Sequence, residues 1–194
     1  VKPGDVGTIL DNLANHGAGR EIAEAIASRR FEEVPNYSMV VSSTVRPNLF
    51  PGALEQVRLG GRLLDSGYTD IAFEIKRGGH EIRPGVFTQK ETDLDVTAKD
   101  TDGKTHGWQF KNVASTNPGK VVGKVFSEMH QLVDSNADYQ TFVLDTVVSM
   151  QDLAPHLGRL ENNFADKGVQ VIIRTPDGIV FIPPDGTFMP EGAQ

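Results

Sequence analysis

The sequence predicts an α/β protein: a mixed central sheet flanked by helices, with a small helical extension at the N-terminus. Three observations carry this. Segments with helical apolar spacing are interspersed with short runs that alternate like strands. Asp-Gly and Pro-Asp turns join neighbouring strand-like runs, as hairpins require. The 194 residues include 38% apolar side chains and 20 glycines, the composition of a globular chain with a real core.

Residues 1–50 read as an appended segment or cap, and residues 51–194 as the core. Val6–Leu13 has the pattern of a short helix. Gly19–Glu33 reads as a longer one, with Ile22, Ala23, Ile26 and Ala27 on one stripe. Tyr37–Val45 is β-prone, and Pro47 and Pro51 separate it from the first helix of the core. Gly52–Gly67 places Leu54, Val57, Leu63 and Leu64 at helical spacing, with Gly60-Gly61 as a weak point and Glu55, Arg58 and Arg62 on the other face. Tyr68–Lys76 alternates through Ile71, Phe73 and Ile75 as a strand does. Thr92–Val113 reads as two strands joined by Asp100-Thr101-Asp102-Gly103. A polar loop, Asn112–Gly119, leads to a helix over Lys120–Val133 with a broad apolar face. Gln140–Val148 is the next strand and Gln151–Lys167 the next helix. Val169–Arg174 and Gly178–Ile182 form a terminal hairpin, and the chain from Pro183 onward reads as extended.

The chemistry concentrates in Thr92–Val113. Alternate residues of a strand share a face. That sets Leu94, Val96 and Ala98 on one side and Asp93, Asp95 and Thr97 on the other. On the second strand Trp108 and Phe110 oppose Gln109 and Lys111. With both apolar faces on one core, Asp95, Gln109 and Lys111 meet on the polar face. A carboxylate and an amide oxygen suit a divalent ion, and a lysine beside them suits a phosphate or an activated water. The competing reading is an ordinary hairpin with one solvated side.

The order is a helix with an exposed Glu, a strand, a strand with Asp, and a strand with Gln-x-Lys. It resembles the PD-(D/E)xK nuclease superfamily, whose restriction-endonuclease-like core runs α-β-β-β-α-β. The resemblance spans Gly52 to Asp145. It implies that Glu55, Asp95 and Gln109 bind Mg²⁺ or Mn²⁺, and that Lys111 completes the catalytic set. Glu74 is a second candidate for the upstream acid. Glu55 is preferred because the superfamily places that acid on the first core helix. The usual Glu of Glu-x-Lys is Gln109 here, as in Mrr-type restriction enzymes. An amide is a weaker ligand for a hard cation, which leaves metal stoichiometry open. Asp93 is either a supplementary ligand or a solvated charge.

The net charge of −7 opposes nucleic-acid binding in the mean. The stretch Lys76–Lys90 is locally basic, with Lys76, Arg77, Arg83 and Lys90 against Glu81. Arg77, Arg83, Lys90, Lys120 and Lys124 are therefore candidate substrate contacts, the alternative for the stretch being a solvated loop. The absence of cysteine excludes disulfides and thiolate ligands. No apolar run is long enough for a membrane span and no signal peptide is visible. Phosphate-binding and dinucleotide loops, a nucleophile elbow and paired zinc-spaced histidines are also missing. His106 reads as a strand-end surface residue. The chain also resembles the C-terminal toxin modules of bacterial contact-dependent inhibition and other polymorphic toxin systems. The grounds are the missing initiator Met, the appended segment, the nuclease-like core at a chain end and the lack of cysteine. That likeness implies delivery into the cytoplasm of a target bacterium, a nucleic-acid substrate, DNA before tRNA, and a cognate immunity protein. A housekeeping or restriction-type DNA endonuclease and a catalytically dead binding module remain as alternatives.

Overall fold

The computed structural model describes residues 1–77, 81–84, 86–87, 92–133, 135–164 and 168–184. Its N-terminal segment is helical: α1 (Val6–Asn15), α2 (Gly19–Ala27) and α3 (Tyr37–Ser43). Then come α4 (Phe50–Asp65), β1 (Thr69–Arg77), the short strands β2 (Glu81–Arg83) and β3 (Val86–Phe87), β4 (Thr92–Lys99) and β5 (Thr105–Val113). The chain continues through α5 (Pro118–Val133), β6 (Tyr139–Thr146), α6 (Met150–Phe164), β7 (Val169–Thr175) and β8 (Gly178–Ile182). This is an α/β fold with a small N-terminal helical segment. From α4 onward, with the β2–β3 hairpin as an insertion, the order is the expected helix, three strands, helix, strand.

Six strands form one sheet in the order β1-β4-β5-β6-β7-β8. β5, β6 and β7 run parallel, and the remaining neighbours pair antiparallel. Helices cover both faces. Phe142, Leu144, Val171 and Ile173 pack with the α5 and α6 side chains Val121, Val125, Leu132, Leu153 and Leu160. Val143 and Ile172 point the other way and share a core with Trp108, Phe73 and the α4 residues Leu59 and Leu63. That second core also takes in Ile9, Leu13, Ile22, Phe31 and Val40, so α1–α3 lie on the same apolar layer as α4.

Two expectations are corrected. Tyr37–Val45 is not a strand but contains α3. Asn36 adopts a left-handed conformation just before it, and Val40 turns inward. The hydroxyls of Ser42, Ser43 and Thr44 bond to carbonyls three or four residues back, and burial of Val40 against the core outweighs the β-prone composition. Second, α2 ends at Ala27, because Arg29 takes φ +56 and turns the chain before Glu33. The expected extended tail beyond Pro183 lies mostly outside the described residues.

Candidate functional site

After a register shift between Thr69 and Ala72, β1 and β4 keep one register from Ala72 to Arg77, with Phe73 opposite Val96 and Ile75 opposite Leu94. Glu74 therefore stands opposite Asp95. Regular alternation fails at this level. Phe73 and Val96 belong to the α4 side, whereas Ile75 and Leu94 pack toward the α5 side. The cause on β1 is Glu74, a non-glycine residue at φ +49, which reverses the pleat. The expectation that Leu94 shares a face with Val96 and Ala98 is thereby corrected. The competing reading of an ordinary hairpin with one solvated side does not fit this level, because helices cover both faces of the sheet and Gln109 is only 1% exposed.

The same level is where β4 and β5 part. Their ladder runs from Lys99↔Thr105 to Val96↔Trp108 and is not continued to Asp95 and Gln109. β5 stays paired with β6 as far as Val113↔Thr146. The sheet thus forks between β4 and β5. Asp95 fills the fork: its Oδ2 accepts the Phe110 N–H at 2.6 Å, in the place of a strand carbonyl.

Two further groups meet Asp95 from the α4 side. Gln56, 4% exposed, donates from Nε2 to Glu74 Oε1 at 2.6 Å and reaches Asp95 Oδ1 at 3.5 Å. Two carboxylates require the NH₂ side of the amide, which leaves Gln56 Oε1 buried without a donor. Asp93 Oδ1 and Gln109 Oε1 are also buried and unpartnered. Burial pushes the Asp95 carboxyl up to about 7. The Phe110 N–H opposes that rise, the Glu74 charge adds to it, Lys111 opposes it and Asp93 adds to it.

The predicted site residues divide into those that meet and those that do not. Asp95 lies within reach of the Lys111 charge, which opposes the rise of its carboxyl, though the ion pair that Lys111 makes is with α5. Lys111 is half-buried and its Nζ lies 3.9 Å from Glu128 Oε2 on α5, while Lys124 Nζ binds the other oxygen at 2.7 Å. Gln109 points to the same side of β5 as Lys111, against Phe142 of β6 in register. Glu55 turns elsewhere: its Oε2 accepts two bonds from Arg174, both at 3.0 Å. Of the two candidate upstream acids, Glu74 is the one beside Asp95. Lys120 is exposed. Arg77 ends β1 and Arg83 ends β2, and Lys90 lies outside the described residues. His106 is buried, not a surface residue: its Nε2 sits 2.8 Å from Asp100 Oδ2 and its ring stacks on Trp108.

Sequence reasoning passed over Gln56. Its signal was a polar side chain between Ala53 and Gly60 on the buried stripe of an amphipathic helix. Among the described residues no three Asp, Glu, His or Cys side chains are grouped to hold a metal ion. The chemistry of the donors nevertheless fits a hard cation. All are oxygens, and three buried acceptors here lack donors. Neither the protein-family models nor the curated proteins compared with the chain match it.

Proposed function

We propose that the chain is a metal-dependent nuclease that hydrolyses phosphodiester bonds of nucleic acid in the fork between β4 and β5. One observation carries the reading: Asp95 sits where the sheet opens, crowded by Glu74 and faced by Lys111. Two half-buried carboxylates held side by side, one of them with a raised pKa, are short of positive charge. Asp95 and Glu74 are the residues that would hold Mg²⁺ or Mn²⁺. When bound, such an ion stabilises charge on a phosphate and lowers the pKa of water. Glu74 takes the role first given to Glu55, because it shares a hydrogen-bonding amide with Asp95.

The chain's own groups do the rest. Gln56 holds Glu74 toward Asp95 and keeps the two from separating. Phe110 N–H fixes one Asp95 oxygen and so the direction of the other. The Lys111 ammonium offsets negative charge developing on the phosphate and orders an attacking water. Lys124 and Lys120, one turn apart on α5, supply phosphate contacts. Incubating the chain with plasmid DNA and with total tRNA, in Mg²⁺, Mn²⁺ or EDTA, tests the reading. Cleavage of either substrate with metal and none with EDTA supports it, and intact substrates under all conditions refute it.

An unblocked nuclease harms the cell that makes it, so a toxin role with a cognate immunity protein belongs to the same proposal. Expression of the chain alone is then expected to stop growth, and co-expression of its neighbouring gene to restore it. Harmless expression of an active chain contradicts the toxin role and leaves the housekeeping nuclease.

A further inference from the structure

Glu55 and Gln56 are consecutive on α4 but serve different parts of the sheet. Arg174 on β7 donates from Nη1 and Nη2 to Glu55 Oε2, both at 3.0 Å. It also donates from Nε and Nη2 to the two oxygens of Asp145 on β6, at 2.7 and 2.9 Å. Arg58, one turn along α4, lies 3.7 Å from Glu55 Oε1 and grips both oxygens of Glu21 on α2 at 2.8 and 2.6 Å. A line of alternating charge thus runs from α2 through α4 to the ends of β6 and β7.

A planar guanidinium bonded to two carboxylates at once tolerates little rotation of either. Apolar packing seats α4 on the sheet, with Gly60 against Phe73 and Phe31, and the charged fork adds a directional tie at Glu55. Successive helix residues project about 100° apart. Anchoring Glu55 over β6 and β7 therefore sets the roll of α4 at which Gln56 faces Glu74 and Asp95. We infer that Arg174, with Asp145 and Glu55, is a positioning group for the Glu74–Gln56–Asp95 site. It acts through α4: its bonds go to Glu55 and Asp145, and it is not among the charges that shift Asp95. This deepens the nuclease reading and rests on it only for its importance to catalysis.

The test follows the Gln56 side-chain amide by nitrogen-15 NMR in the metal-free full-length chain, where its bond to Glu74 Oε1 sets its proton shifts. Four proteins are compared: wild type, Arg174→Lys, the neutral set Glu55→Gln/Asp145→Asn/Arg174→Met, and Glu74→Ala, which marks the position of the amide without that bond. Both Arg174 variants are expected to move the Gln56 amide signal toward its Glu74→Ala position. Arg174→Lys keeps the charge and loses the fork, so it carries the comparison should the neutral set fail to fold. A Gln56 amide signal unmoved in the folded variants overturns the inference. Cleavage is scored separately. A displaced amide signal without any cleavage refutes the nuclease and spares the positioning role, and cleavage with an unmoved signal does the reverse.

Discussion

Asp95 is the residue on which the fork depends, and its pH behaviour is specific. Its folded-state value of about 7 lies far above the ordinary 3.8. Between those two midpoints the folded protein holds a proton that the unfolded chain has released. Stability must therefore fall as pH rises from about 4 to about 7, and stay reduced above that. Asp95→Asn removes this slope. Denaturant unfolding in EDTA is expected to show the variant more stable than wild type at pH 8, and little different at pH 4. The gain is a few kcal/mol at most, each pH unit between the midpoints being worth about 1.4 kcal/mol. Lys111 acts on developing charge instead. Lys111→Ala is expected to lower kcat by about a hundredfold with a smaller change in KM, as for loss of a transition-state donor. A change confined to KM would make Lys111 a simple binding contact.

At the scale of elements, α4 determines how close the helical layer comes to the sheet. A Cβ on Gly60 would fall 2.7 Å from Phe73 Cζ and 3.2 Å from Phe31 Cε1, whereas one on Gly61 would meet nothing closer than 3.6 Å. Gly60→Ala is expected to cost roughly 1–3 kcal/mol in denaturant unfolding, because Phe73 is fully buried and edge-on to Phe31. Gly61→Ala is expected to be neutral or stabilising by up to about 1 kcal/mol, through helix propensity. The reverse ranking would mean that α4 does not pack as described. Gly60-Gly61 was legible as a break in the pattern, but not which glycine touches the sheet, since that depends on the roll of the helix. Local periodicity likewise marked β1, β4, β5, α5 and α6. It failed at α3, where a left-handed Asn36 and the burial of Val40 in the core outweigh β propensity. It failed again at Glu74, where a positive φ reverses the faces of β1, and at the facing Leu94–Val96 of β4. Asp95 and Lys111 could be paired by strand order alone. Gln56 and Glu74 could not, because their meeting needs the pleat reversal and the roll of α4.

For the whole molecule, the N-terminal helices and the sheet share one apolar layer. Ile9, Leu13, Ile22, Phe31 and Val40 are buried in the same core as Phe73, Trp108 and Val143. Arg58 and Glu21 add a polar tie between α4 and α2. Removing residues 1–50 would expose that layer of α4 and β1. The fragment 51–194 is expected to lose cooperative thermal unfolding and to aggregate, whereas the full chain unfolds in a single transition. A stable, cooperative fragment would make the N-terminal segment a dispensable cap. Among the described residues no helix is long and apolar enough to cross a membrane. The net charge of −7 makes any nucleic-acid contact local, confined to basic side chains such as Lys111, Lys120 and Lys124. The most direct test of the proposed active site is the cleavage rate of Asp95→Asn beside wild type, on plasmid DNA and tRNA in Mg²⁺ and Mn²⁺, with folding checked by the same melting transition. Metal-dependent cleavage by wild type and none by the folded variant is the expected result. Cleavage by Asp95→Asn at the wild-type rate would contradict it and move the active site away from the fork between β4 and β5.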